Sequence, residues 1–580
     1  MRVLFFSPHA GIWVHAFPEA LVADALRSAG ADLIYVTCGG GLSSGCVTMA
    51  SQGVSPQAFE AERLAVCASC RAARDRLREG FSLPGNDFET VLTDADEQRI
   101  SMLLATTDPA AVNQLIVDGV EVGRMALYEF LIERKKLKLS LTDEEWVAFK
   151  PRLANALRSF FAAGRWLDRE RPDRVAVYNS LYSANAMWRA AAKQRGIPFY
   201  FIHAGLSLHR RLSKIMAGRD TTLEWWNRML DAWHAYRDVP CDARLLAEVT
   251  EHFLHLFRGT SVLAYSPGKD ANAVDVRTKF GVQPTQKLLV ATMSSYDEYI
   301  AAEAIGAVPP QDTLLFPTQI EWIRALLAFM RTRPDLFLLI RVHPREFPNR
   351  RDARKSEHAA ALEQELANLP ANAKVNWPAD KLSMYDVAEQ ADVVLNAWSS
   401  VGREMPLLGI PVVTYCPTVI QYPAELNYVG DTLPAYLTAI DEALRDGWSI
   451  ERTRIAFRWL ALELVRGLVD IGEAFDFSED PPRTFLGRVR NLALAPPVIR
   501  QHRDLLRRPR SLAAQRRLAD MILDGKTTML DTTPRATVDL DTETRALRDQ
   551  LGRLVAALYG KATTPPVPGT LHARLTEALD

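Results

Sequence analysis

The stretch AEQADVVLNAWSSVGREMPLLGIPVVTY, at 388–415, constrains this chain more than any other. Val393, Val394 and Leu395 make an apolar run long enough for one buried strand. Small and polar residues follow from Asn396 to Gly402. Arg403 to Leu408 have helical character, Gly409 stops the helix, and Pro411 to Tyr415 start a second strand. That order predicts a βαβ unit with a very short crossover. Such units place a ligand beyond the carboxyl end of the first strand, at the helix N-terminus. Ser399, Ser400 and Gly402 stand there, and their N–H groups and hydroxyls suit a phosphate, as does the helix dipole. The same Ser-Ser pair also reads as a plain helix N-cap.

The pattern recurs along the chain. Arg2–Ser7 reads as a strand, Pro8–Gly11 as a turn, Phe17–Ala29 as a helix ended by Gly30, and Leu33–Thr37 as a second strand. His9 and Gly11 lie in that turn and His15 near it; either histidine can serve as a general base, while a structural or acceptor-contacting role is the plainer reading of each. From about 56 to 170 the spacing is helical, with no chemical motif. Arg174–Tyr178 is a strand, followed by a polar loop, a helix over Ala184–Arg195, and the strand Ile197–Ile202 leading into His203. Asn179, Tyr182 and His203 are therefore candidates for touching substrate, while a cap or loop-backbone role for Asn179 and His203 is the plainer reading. A polar, turn-rich segment at 266–285 marks a domain boundary.

A second α/β domain begins with the strand Lys287–Thr292, whose loop carries Ser294, Ser295, Asp297 and Glu298. The strand Leu336–Val342 ends at His343-Pro344. In a parallel sheet these loops gather on one edge with Ser399 and Ser400. A nucleotide leaving group needs N–H donors, hydroxyls and a cation or imidazole, which His343 and Arg341 or Arg345 can supply. Glu404 can accept from ribose hydroxyls. Asp297 and Glu298 read as a carboxylate pair facing the cleft, able to take an acceptor proton, or else as a helix cap and first-turn acid.

A chain of 580 residues is too long for one core, so two large domains and an appendage are expected. A net charge of −1 gives no general pull toward nucleic acid. No apolar stretch approaches a membrane span, and the opening residues are too short for a signal peptide, which predicts a cytoplasmic protein. Cys38, Cys46, Cys67 and Cys70 fall close together, and Cys67–Cys70 is a CxxC. Four thiolates suit a structural zinc; free buried or redox-sensitive thiols are the alternative. Residues 483–517 hold ten arginines against one acid, Asp504, with leucines and valines interleaved. That segment suits an anionic membrane surface or a solvated helical hairpin.

The motifs together resemble a known family. Ser294-Ser295-x-Asp297-Glu298, a helix with Gln319 and Glu321, Ile340-Arg341-Val342-His343-Pro344, and Ser399-Ser400-Val401-Gly402-Arg403-Glu404 before Gly409-x-Pro411-Val412-Val413 resemble the bacterial capsule and surface polysaccharide glycosyltransferases. That family includes β-Kdo transferases and is distantly similar to polysialyltransferases and teichoic-acid glycerophosphotransferases. The resemblance covers roughly 170–430. It implies the GT-B fold: α/β, two Rossmann-like domains facing across a cleft. The N-terminal acceptor domain is expected at 1–265, the donor domain at 266–440, crossover helices at 441–480 and a basic helical extension at 481–580. It implies donor binding by His343, Pro344, Ser399 and Ser400, a CMP-linked sugar as donor, a glycan or lipid-linked acceptor, and no cofactor for the transfer. The acidic acceptor-domain motif that supplies the base in polysialyltransferases is not evident. A CDP-polyol phosphotransferase and a non-catalytic glycan-binding protein remain the alternatives.

Overall fold

The computed structural model describes residues 1–259, 265–270, 274–310, 314–349, 352–475, 496–507, 512–562 and 565–579. Val3 to Phe6 are wholly buried within β1 (Arg2–Ser7), as expected of a strand covered on both faces. The first sheet adds β2 (Asp32–Thr37), β3 (Asn86–Asp87), β4 (Arg174–Tyr178), β5 (Phe199–Ala204) and β6 (Lys214–Arg219). The second contains β7 (Lys287–Thr292), β8 (Leu336–Arg341), β9 (Ala373–Asn376), β10 (Val393–Asn396), β11 (Val412–Thr414) and β12 (Tyr428–Val429). A last strand, β13 (Leu468–Asp470), returns to the first sheet.

The sheet orders are β13-β6-β5-β4-β1-β2-β3 and β12-β11-β10-β7-β8-β9. Read from β3 and from β9, both follow the doubly wound order in which the first strand of the domain lies between the second and fourth. All pairings are parallel except β5 with β6 and β6 with β13. Each sheet therefore has a switch point, between β1 and β4 and between β7 and β10, where connections leave in opposite directions and open a crevice.

The helix Ile450–Ala461 packs on Val401–Leu407 of the second domain and on Ala243–Arg258 of the first. The chain then passes through a π-helical turn, Leu462–Arg466, into β13. Val469, inside the stretch expected as crossover helices at 441–480, instead lies in β13, opposite Ile215. Two Rossmann-like domains with a late segment crossing back define the GT-B arrangement. The C-terminal extension is helical: Ala513–Leu523 packs on Trp13–Ser28, and Leu540–Tyr559 packs on Ala243–Arg258. Of the ten arginines at 483–517, Arg483, Arg488, Arg490, Arg508 and Arg510 lie outside the described residues.

Between β1 and β4 sits a carboxylate that sequence patterning gave no reason to single out. Glu19, on the helix Trp13–Ser28, is buried; it accepts from Ser7 Oγ at 2.5 Å and from the Tyr178 N–H at 3.2 Å. Burial pushes its pKa up to about 8, so the folded chain holds this proton more tightly than the unfolded chain does. Its contribution to stability is full below about pH 4.5 and is lost as pH rises through about 8. Glu19→Gln keeps an acceptor for the Tyr178 N–H and offers Nε2 as a donor to Ser7 Oγ, without the titration. The variant is expected to gain on the wild type as pH rises from 5 to 8, by at most about 1.4 kcal/mol per pH unit, read from urea midpoints across that range. Parallel midpoint curves for the two proteins would refute this.

Candidate functional site

The crevice at the β7–β10 switch point is a pocket of about 160 Å³. Thr292 and Met293 from β7, Arg341 and His343 from β8, and Ser399, Ser400 and Glu404 after β10 all line it. The sequence placed these groups on one sheet edge, and the structure brings them into one cavity. Tyr265, Ser266 and Tyr385 also line it; Ser266 opens the segment read only as a boundary, and Tyr265 directly precedes it. A second opening, lined by Ser294, Ser295, Glu298 and Trp398, shares His343, Ser399 and Ser400 with the first.

His343 precedes the short 3-10 helix Pro344–Glu346, and its Nδ1 accepts from the Arg345 N–H at 3.3 Å. That bond assigns the ring proton to Nε2, which is left as a donor. Burial lowers the His343 pKa, so the ring is neutral at pH 7 and acts through its N–H rather than as a cation. The cation in the wall is Arg341, whose pKa burial brings down to about 10. Its guanidinium is held by Asn376, by the Leu382 carbonyl at 3.0 Å and by Ser266 Oγ at 3.3 Å. Glu404 Oε2 accepts from Tyr385 Oη at 2.9 Å, which fixes the carboxylate at the pocket wall.

The Ser-Ser pair is not a plain cap. Ser400 precedes the helix Val401–Leu407, and its hydroxyl makes no cap hydrogen bond; Ser399 Oγ accepts weakly from the Val401 N–H at 3.4 Å. The helix has seven residues, so side chains rather than an extended dipole carry the anion-binding capacity. Gly402 does not offer its N–H as expected: that group donates to the Ser399 carbonyl at 3.1 Å. Glycine is required there for space, because a Cβ would lie 1.7 Å from Tyr422 Oη.

The two carboxylates share one cation, Arg345, but differ in exposure. Asp297 is wholly buried, bonded to Ser295 Oγ at 3.1 Å and to Arg345 at 2.7, 3.0 and 3.2 Å. It faces the core and holds Arg345, so the expectation of a cleft-facing base at Asp297 is corrected. The helix Tyr296–Ala304 is preceded by Ser295, which puts Asp297 and Glu298 in its first turn. Glu298 Oε1 lies 3.4 Å from Nε of the same Arg345, while its side chain is 44% exposed and lines the second opening. Ser294 is tied on both sides of its peptide to Gln319, at 2.7 and 3.1 Å, and its Oγ accepts from the Trp398 N–H.

In the first domain, the β1–β4 switch point opens into a cavity of about 470 Å³ lined by His9 and Tyr182, whose rings meet edge to face at 5.6 Å. Glu129 also lines it, and its Oε1 accepts from the Ser183 N–H at 2.8 Å and Oγ at 3.2 Å. Glu129 lies on the helix Tyr128–Arg134, inside the stretch read as free of chemistry; a lone acid in a helical run carries no sequence signal. The other expected acceptor residues are engaged elsewhere. Asn179, at φ 60°, accepts from the Leu181 N–H at 2.9 Å and shapes its own turn. His203 Nδ1 bonds the Ala204 carbonyl at 2.8 Å. His15 stacks on Tyr178 with ring centroids 4.4 Å apart, and burial drops its pKa to about 3. The Gly11 N–H donates to Cys70 Sγ at 3.2 Å, and a Cβ on Gly11 would lie 2.6 Å from Thr48.

The two crevices belong to one interdomain region. The helix Tyr128–Arg134 packs on Tyr296–Ala304, and Arg345 Nη2 donates to the Ile132 carbonyl at 2.9 Å. The four cysteines do converge: Cys38, Cys46, Cys67 and Cys70 line one void of about 20 Å³. Burial pushes all four thiols above their usual range. Among the described residues, no three His, Cys, Asp or Glu side chains stand at metal-ligand spacing.

No known family model matches the chain, and no curated protein matches it. Among solved structures it is similar to the UDP complex of MnaA from S. aureus, at 13% identity over 83% of this chain and 99% of that one, with a TM-score of 0.25. It is similar to KpsC, a beta Kdo 2,4 transferase from Thermosulfurimonas dismutans, at 15% identity over 50% of this chain and 80% of that one, with a TM-score of 0.30. UDP-GlcNAc 2-epimerase from Neisseria meningitidis bound to UDP-GlcNAc is 12% identical over 80% of this chain and 97% of that one, with a TM-score of 0.22. Likenesses this distant carry no argument about ligand or reaction, and the fold rests on the two strand orders themselves.

Proposed function

We propose that the protein is a glycosyltransferase that moves a sugar from a nucleotide-linked donor to a hydroxyl of a surface glycan or lipid-linked acceptor. The observation that carries this reading is the convergence of His343, Ser399, Ser400, Arg341 and Glu404 on one cavity at the β7–β10 switch point. In the reaction the acceptor oxygen bonds to the anomeric carbon and the bond from that carbon to the phosphate oxygen breaks. The electron pair leaves with the nucleotide phosphate. The His343 N–H and the two serine hydroxyls donate to that phosphate, and Arg341 lowers the cost of its charge. Glu404, braced by Tyr385, is placed for the ribose. Glu298, in the adjoining opening, receives the proton that the acceptor hydroxyl loses. The His-Pro and Ser-Ser motifs make CMP-linked sugars the first donor class to test.

None of the described helices is long and apolar enough to cross a membrane. A cytoplasmic enzyme resting on an anionic membrane face is part of the same reading. The helix Pro497–Arg507 supports it: Gln501 and Asp504 are buried, while Leu506 is 87% exposed beside Arg507.

Separate incubation with CMP-, UDP- and GDP-linked sugars and with CDP-glycerol tests the activity. Release of CMP with the sugar on the product is the expected result. CMP release with phosphate retained in the product would instead make the protein a polyol phosphotransferase. Glycan binding with no turnover of any donor would make it a non-catalytic protein.

A further inference from the structure

The β1–β4 crevice has a composition that the donor pocket lacks. Its polar groups include His9, Tyr182 and Glu129 around the ends of β1 and β4, with Glu133, Arg152 and Asn155 elsewhere in the wall. Much of the remaining wall is apolar, from Leu42, Val47, Ala50, Val54 and Ile132. His9 is 5% exposed, and neither of its ring nitrogens has a hydrogen-bond partner among the described residues. A buried imidazole without a partner carries a desolvation cost that a ligand hydroxyl would offset. Burial lowers its pKa to about 4, so the ring is neutral near pH 7 and has one nitrogen free to accept. The volume, about 470 Å³, lies in the range of small-molecule sites.

We propose that this cavity takes an amphipathic acceptor, with a sugar hydroxyl held by His9 beside Tyr182 and Glu129, and an alkyl or acyl group lying along the apolar wall. This rests on the glycosyltransferase reading and narrows its acceptor from any glycan to one bearing an apolar group. The donor end contributes nothing to that choice, because the groups that define it all lie in the first domain.

The test uses the full chain and a series of n-alkyl β-D-glucosides from methyl to octyl, kept below micelle-forming concentrations, by isothermal titration calorimetry. Affinity is expected to rise about fourfold per added methylene until the cavity is filled. Ala50→Trp and Val54→Trp, at an exposed and a half-buried position of the wall, are expected to flatten that rise. His9→Phe is expected to weaken every member of the series by a similar factor. CMP binding is titrated alongside and is expected to be unchanged in all three variants. A flat series, no binding of any glucoside, or an unaltered slope in both tryptophan variants overturns the acceptor proposal while CMP binding stands. Loss of CMP binding in the wild type overturns the donor reading instead.

Discussion

Arg345→Met is expected to destabilise the donor domain by about 3–5 kcal/mol, because it leaves the Asp297 carboxylate in the core without its counter-charge. Asp297 is wholly buried, and Ser295 Oγ at 3.1 Å would be its remaining side-chain partner among the hydrogen bonds it makes here. The same guanidinium also donates to Tyr265 Oη at 3.0 Å and to the Ile132 carbonyl at 2.9 Å, so its loss loosens the contact between domains as well. Replacing both partners, in Arg345→Met with Asp297→Leu, removes the uncompensated charge and is expected to recover most of the loss. Urea unfolding followed by tryptophan fluorescence checks both, with Trp398 close to the site as one reporter. A single variant as stable as the wild type, or a double variant no better than the single, would show that the pair is not the local keystone.

That pair also shows where sequence reading fails. Two adjacent acids after a strand look alike in one dimension. The helix Tyr296–Ala304 sets them about 100° apart, so that Asp297 is wholly buried and Glu298 reaches the cleft while both meet Arg345. The cation that settles the matter stands 48 residues away, beyond the next strand. By contrast, the parallel strands β1, β4, β7, β8 and β10 were legible, because burial on both faces writes a continuous apolar run. The antiparallel strands β6 and β13 at one end of the first sheet were not: Lys214–Arg219 carries charges at both ends, and Leu468–Asp470 is three residues at the end of a helical pattern. Their pairing is antiparallel and brings together segments some 250 residues apart, which no local period can signal. The donor groups were legible because each follows a readable strand. Glu129 was not, since it reaches its cavity from a helix whose own pattern records only packing.

The β7–β10 crevice is proposed to hold a nucleotide phosphate. His343→Ala and Ser400→Ala are the sharpest probes of it. The first removes the Nε2 donor at the cost of one long bond to the Arg345 N–H, and the second removes a hydroxyl that makes no cap bond. Each lost hydrogen bond to a phosphate is worth about 1.5–3 kcal/mol, or roughly a tenfold to hundredfold loss of affinity. The direct measurement is calorimetric titration of CMP, with UDP and GDP in parallel, into wild type and both variants. One saturable site in the wild type, weakened at least tenfold in each variant at unchanged unfolding midpoint, is the predicted result. Equal affinity in all three proteins, or no nucleotide bound by the wild type, would contradict it.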